Sequence, residues 1–146
     1  MESNWEERKI LVVEDDDTNF LYISALIKKK KVQLIRSKDG LDAFFLCMTA
    51  PPDIVIMDIR LPIMNGFDSI RLIKKYEPTI PIITLTASAM NEDRMNAIDA
   101  GCDAFVTKPI LPDELIGVIE YFLTHPRSAF KFFQSSRTNN LSQIPQ

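Results

Sequence analysis

Ile54-Val55-Ile56-Met57-Asp58-Ile59-Arg60-Leu61-Pro62-Ile63-Met64-Asn65-Gly66 is the stretch that decides the fold. Its first four residues form an apolar, mostly β-branched run, the pattern of a fully buried strand. A carboxylate is costly inside such a strand but suits its carboxyl end, the edge where open α/β sheets bind their ligands. Residues 62–66 supply the proline, asparagine and glycine of a turn that leads into a helix.

Three other apolar runs end in the same manner. Ile10-Leu11-Val12-Val13 ends in Glu14-Asp15-Asp16-Asp17. Ile82-Ile83-Thr84-Leu85 ends in Thr86-Ala87-Ser88, and Ala104-Phe105-Val106-Thr107 ends in Lys108-Pro109. Between the runs lie helical patterns, and this alternation predicts a parallel sheet covered on both faces. Strands are expected at 9–14, 32–36, 53–57, 81–85 and 103–107. Helices are expected at 18–30 with Asp17 as cap, then at 39–48, 66–76, 90–100 and 113–123. The Pro51-Pro52 pair cuts off the second helix, and Gly101 stops the fourth. Right-handed crossovers then give a doubly wound α/β sheet of flavodoxin-like (βα)5 type, five-stranded, in the order 2-1-3-4-5. In that order the four functional strand ends are neighbours.

Acids, a hydroxyl and a lysine at one sheet edge suit phosphoryl chemistry. Close carboxylates repel one another, and a hard divalent cation relieves the repulsion. Magnesium takes oxygen ligands, commonly one or two carboxylates together with phosphate oxygens. Asp58 is then the candidate nucleophile, as in aspartyl-phosphate enzymes. Magnesium and Lys108 would neutralise charge on the transferred group, and Thr86 would hydrogen-bond its oxygens.

Taken singly, each residue has a plainer role. The acids at 14–17 suit a helix N-terminus, a role that Asp16 and Asp17 fit better than Glu14 and Asp15. Lys108 alone reads as a solvated loop lysine, and Thr86 reads equally well as a helix cap. Asp58 has few structural reasons to follow such a run. Jointly the plain roles require four coincidences at one edge.

In these motifs, across roughly residues 8–124, the chain resembles the receiver domains of two-component response regulators. The resemblance implies that Glu14 and Asp15 are the acidic pair and Asp58 the phosphoacceptor. It implies that Thr86 is the switch hydroxyl, Lys108 the lysine of the site and Phe105 the switch aromatic. Asp15, Asp58 and the backbone carbonyl of Arg60 would bind Mg2+ directly, and Glu14 through water. The Lys108-Pro109 bond is expected to be cis. A histidine kinase or histidine phosphotransfer protein would be the donor, and the surface of the fourth helix, fifth strand and fifth helix the switched face. The protein would be a signalling switch that assists only its own phosphotransfer and dephosphorylation. Motifs of the type Leu85-Thr86-Ala87-Ser88-Ala89-Met90, with Asn19, are common in receivers of hybrid sensor kinases. Phe105 lacks the hydroxyl of the common tyrosine variant, so a switch through it must rest on packing. Arg60 and Ser88 stand where the family tunes water access to the phosphoryl group.

Two other classes share part of the pattern. Haloacid-dehalogenase-type phosphatases need a second Asp two residues after the nucleophile, where this chain has Arg60. Flavodoxin-type electron carriers need a hydroxyl-rich first loop, whereas Glu14-Asp15-Asp16-Asp17 would repel a flavin phosphate.

The 146 residues suit one domain, and 46% hydrophobic with 25% charged residues are ordinary globular values. A net charge of −3 gives no reason to expect nucleic acid or a membrane surface as partner. The N-terminus has no secretory pattern, and Cys47 and Cys102 lack a CxxC spacing, which together suggest reduced thiols and a cytoplasmic setting. Residues 1–8 read as an extension, 9–124 as the domain and 125–146 as a flexible tail, with Phe130, Phe132 and Phe133 available for docking. The single His125 follows the last helix, so the donor histidine is expected on another protein. The output partner, the cognate kinase and the choice between monomer and phosphorylation-dependent dimer are not written in these residues.

Overall fold

The structure, a computed structural model, describes residues 5–87, 91–125 and 133–134. Strands and helices alternate along the chain: β1 (Lys9–Val13), α1 (Asp17–Lys28), β2 (Gln33–Ser37), α2 (Gly40–Thr49), β3 (Ile54–Asp58), α3 (Gly66–Tyr76), β4 (Ile82–Thr86), α4 (Asn91–Ala100), β5 (Ala104–Thr107), α5 (Pro112–Thr124) and β6 (Phe133–Gln134). The sheet runs β2-β1-β3-β4-β5-β6, and every neighbouring pair is parallel. The expected order 2-1-3-4-5 is therefore present. It is extended by β6, which sets Phe133 opposite Ala104 and Gln134 opposite Phe105. No alternation in the tail announces that pairing. Phe130, Phe132 and Ser88, singled out above, lie outside the described residues.

Period-two side-chain alternation explains why the central strands are apolar apart from their ends and the buried Thr84 of β4. Ile10, Val12, Ile54, Ile56, Ile83, Leu85 and Val106 point to one face, where Ile23 and Ile27 of α1 and Leu115, Ile119 and Phe122 of α5 cover them. Leu11, Val13, Val55, Met57 and Ile82 point to the other, beneath Ala43 and Cys47 of α2, Ile70 and Ile73 of α3 and Ala97 of α4. Charged residues inside a central strand would break one of these layers, so the chemistry is confined to strand ends.

Local capping sets the helix starts. Asp16, not Asp17, caps α1 and accepts from the Asn19 amide at 2.9 Å. Asp39 caps α2 and accepts from the Asp42 amide at 2.7 Å. Asn65 caps α3 through the Asp68 amide at 2.9 Å. Each cap satisfies one orphan helix donor at the carboxyl edge of the sheet. Strand ends move by a residue from expectation, and β3 now includes Asp58, opposite Leu85 of β4.

The polar N-terminal stretch carries a structural element that its composition hides. Trp5 is 1% exposed and belongs to the core layer under α1 and α5. Its indole Nε1 donates to Glu120 Oε1 of α5 at 2.6 Å. Arg8 donates to the Leu123 carbonyl at 3.4 Å. Residues just before β1 thus fasten to the last helix.

Candidate functional site at the carboxyl edge of the sheet

Glu14 leaves β1 with its backbone held on both sides. Its amide donates to the Ser37 carbonyl at 3.0 Å. Its carbonyl accepts from Arg36 Nε at 3.1 Å and from a terminal nitrogen of the same guanidinium at 3.0 Å. Arg36 also pairs with Asp17 at 2.9 Å, and this holds the Asp17 carboxyl below the usual range. The Arg36 contribution is not visible in the sequence, where it is only the last residue of an expected strand.

With its backbone so fixed, the Glu14 side chain turns inward and is fully buried. Its Oε2 accepts from the Asp16 amide at 3.2 Å. Its Oε1 is buried with no hydrogen-bond partner among the described residues. Burial, and next the charge of Asp58, push its pKa up to about 7. The Asp16 amide and the Lys108 ammonium pull the other way and do not prevail.

Asp58 closes β3 and is nearly buried. Its Oδ1 accepts from the Arg60 amide at 3.2 Å, and its Oδ2 lies 3.3 Å from Lys108 Nζ. Carboxylate oxygens of Glu14, Asp15 and Asp58 all fall within 4.8 Å of one another. Of the three, Asp15 alone is exposed. One lysine cannot neutralise three carboxylates, and an unpartnered buried oxygen is costly. An all-oxygen donor set with an orphaned acceptor fits a hard divalent cation. Among the described residues no His or Cys ligand joins the cluster to favour a softer metal.

β4 and β5 deliver the other two residues. Thr86 ends β4 and is buried, its Cα paired with Thr107. The Thr86 carbonyl accepts from the Lys108 amide at 2.8 Å, which pins the start of the β5–α5 connection to β4. The Lys108-Pro109 bond is cis. Phe105 is fully buried in β5, paired with Thr84 on one side and Gln134 on the other. Glu14, Asp15, Asp58 and Lys108 are thus one cluster, while Phe105 lies deeper in the sheet.

The β3–α3 loop shapes the rim. Gly66 is needed there because a Cβ would come within 2.7 Å of the Asp58 carbonyl oxygen and of Ile59 Cα. The Met64 amide donates to the Pro62 carbonyl at 2.6 Å, a three-residue turn that puts Ile63 at φ 66. That is a left-handed conformation seldom adopted by a β-branched residue. Beside this loop opens a cleft of about 430 Å³ lined by Asp15, Ile59, Arg60, Leu61, Pro62, Asn65 and Phe67. On the opposite side Thr18, Asn19, Tyr22, Lys108, Pro109 and Ile110 line a more apolar groove of about 330 Å³. The Arg60 side chain extends along the rim to Asp93 of α4, a residue that sequence patterns do not single out.

A family model described as the response regulator receiver domain matches residues 10–120. The polar-differentiation response regulator DivK of Brucella ovis is 33% identical over 118 residues, covering 80% of this chain and 96% of that protein. Among solved structures, the receiver domain of a sensor histidine kinase from Pseudomonas aeruginosa is 31% identical with a TM-score of 0.77. The match covers 81% of this chain and 98% of that one, which has a magnesium ion coordinated in its active-site cleft. The receiver domain of a signal transduction histidine kinase from Syntrophus aciditrophicus is 28% identical, with a TM-score of 0.75 over 80% of this chain and 90% of that one.

Proposed function

The chain belongs to the response regulator receiver family of two-component signalling, and on that premise we propose that Asp58 is its phosphoacceptor. The phosphoryl group comes from a phosphohistidine on a histidine kinase or histidine phosphotransfer protein. An Asp58 carboxylate oxygen forms the new bond to phosphorus as the phosphorus–nitrogen bond breaks. The freed electron pair returns to the donor imidazole, which takes up a proton. The observation that carries this reading is the nearly buried Asp58 carboxylate, grouped with Glu14 and Asp15 and contacted by Lys108.

The residues divide the work by position. Lys108 holds one Asp58 oxygen and the Arg60 amide the other, which fixes the plane of the nucleophile. Asp15, Asp58 and the Arg60 backbone carbonyl are the direct ligands we assign to magnesium, with Glu14 acting through water. Bound there, magnesium would neutralise the carboxylates and the oxygens of the incoming group. The cluster's orphaned Glu14 oxygen and mutual repulsion support that assignment.

After transfer, the new charge draws the Thr86 hydroxyl and Lys108. Phe105 then repacks, and the surface of α4, β5 and α5 changes for an output partner. Any such switch works by packing, since Phe105 has no hydroxyl to redirect. β6 lies against the β5 edge of that surface. We read residues 9–124 as the receiver unit and 125–146 as an appended tail. The chain is a signalling protein, and its only chemistry is on itself. No helix among the described residues is long and apolar enough to cross a membrane, and we place the protein in the cytoplasm, where receivers typically work. Its assembly state is monomer or phosphorylation-dependent dimer.

Intact mass after incubation with magnesium and a small acyl-phosphate donor tests the proposal. One added phosphoryl group is expected on the parent chain and none on Asp58→Asn. A folded parent that takes up no phosphoryl group from any acyl phosphate or phosphohistidine donor would refute it.

A further inference from the structure

Arg60 is anchored at one end and loose at the other. Its amide is bound to Asp58 Oδ1 at 3.2 Å, so its Cα is fixed at the mouth of the acid cluster. Its side chain is 76% exposed and reaches Asp93 Oδ2 at 3.9 Å. Asp93 is the third residue of α4 and only 21% exposed. An acid in a first helical turn is favoured by the helix dipole, so Asp93 has reason to stay whether or not Arg60 is present. The ion pair therefore ties the β3–α3 loop to α4 by its mobile member alone.

Relative strengths decide what that member does when charge appears on Asp58. An exposed pair near 4 Å is weak. A guanidinium facing a phosphoryl dianion forms parallel charge-assisted hydrogen bonds and is much stronger. Asp58 is nearly buried, so a phosphoryl group on it can project only outward, toward the rim that Arg60 spans. We propose that Arg60 has two seats, Asp93 before phosphorylation and the phosphoryl group after it, with Asp93 acting as the positioning residue that competes for the guanidinium.

Two consequences follow from one movement. Phosphorylation removes the tie between the β3–α3 loop and α4, so the event at Asp58 is felt at a helix of the switched surface. The seated guanidinium also covers the outward side of the acyl phosphate. Hydrolysis needs a water oxygen to bond to phosphorus from that side while the bond to the Asp58 oxygen breaks. The electron pair then returns to the carboxylate, and the water proton leaves to solvent. Arg60 on the phosphoryl group blocks this approach, and Asp93 shortens the lifetime by drawing Arg60 away. The proposal rests on Asp58 being the phosphoacceptor.

The test uses the full chain, acetyl phosphate and magnesium, with the decay of the phosphorylated mass followed after the donor is removed. Arg60→Ala deletes the guanidinium but keeps the backbone carbonyl. It is expected to shorten the lifetime. Asp93→Asn is expected to lengthen it roughly two- to fivefold, the bias an exposed ion pair can exert. Asp93→Glu should restore the parent value. In the Arg60→Ala background, Asp93→Asn should change nothing. An effect of Asp93→Asn that persists there would overturn the proposal, because Asp93 would then act through α4 alone. Unchanged decay in both single variants, with normal phosphoryl uptake, overturns it as well. A parent chain that takes up no phosphoryl group overturns the phosphoacceptor reading together with this one.

Discussion

Magnesium binding to this chain should release a proton below neutral pH, and Glu14 is the group that releases it. In the metal-free site, burial and the charge of Asp58 raise Glu14 to about 7 from an ordinary value of 4.5. A cation beside Asp15 and Asp58 favours the ionised form, so binding and deprotonation are linked. With one proton displaced, the apparent affinity should climb roughly tenfold per pH unit below 7 and flatten above it. At pH 6 the affinity should be about tenfold below its plateau. The metal-free stability follows the same linkage with the sign of a raised acid. The native state keeps the Glu14 proton where the unfolded chain has lost it. That contribution is complete below about 4.5 and is lost as the pH rises through about 7. Titration calorimetry in buffers of different ionisation heat, from pH 5.5 to 8, counts the proton directly. Glu14→Gln should bind magnesium with an affinity nearly independent of pH over that range. His125 stacks on Tyr121 at the end of α5, at the opposite edge of the sheet from the acids. A pH-independent affinity in the parent, or the parent's slope surviving in Glu14→Gln, would refute the reasoning.

Further outcomes follow from single contacts. Lys108→Ala should fold but lose on the order of a hundredfold in the rate of phosphorylation by a small acyl phosphate, since its ammonium stands 3.3 Å from Asp58. An unchanged rate would remove Lys108 from the chemistry. Trp5→Ala should cost about 3–5 kcal/mol in urea unfolding, because it empties a core position and unpairs the indole from Glu120. A loss below 1 kcal/mol would mean that the N-terminal stretch is not fastened to α5. Gly66→Ala should destabilise the fold and slow phosphorylation, because its Cβ collides with the backbone at Asp58 and Ile59. Gly117→Ala in α5 meets nothing within 4 Å and should instead raise stability by about 0.5–1 kcal/mol. Equal effects of the two glycine changes would count against the close approach at Gly66.

The sheet was legible because a parallel strand buried on both faces is apolar at nearly every position, so each run announces itself and its ending. Glu14, Asp58, Thr86 and Lys108 stood out as polar residues at such endings. Helix starts were less sharply readable. Asp16 and Asp17 are equally good caps in composition, and only backbone geometry assigns the role to Asp16. The unread parts depend on contacts far apart in the chain. Trp5 meets Glu120 across 115 residues, and Arg36 meets Glu14 across 22. A lone tryptophan in a polar run and an arginine at a strand end carry no periodicity that would reveal such partners. β6 is two residues long, too short for any alternation to appear. Asp93 lies in the first turn of α4, where acids are common, and its relation to Arg60 exists only once β3 and α4 are placed.

Borohydride trapping of the phosphorylated chain, followed by peptide mapping, bears most directly on the central claim. Borohydride reduces an aspartyl phosphate to homoserine at the residue that carried it. Conversion of Asp58 alone, dependent on magnesium and absent when a chelator is added, is the predicted result. Conversion at Asp15 or another acid with Asp58 intact, or a stable phosphate on a hydroxyl or on His125, would contradict it.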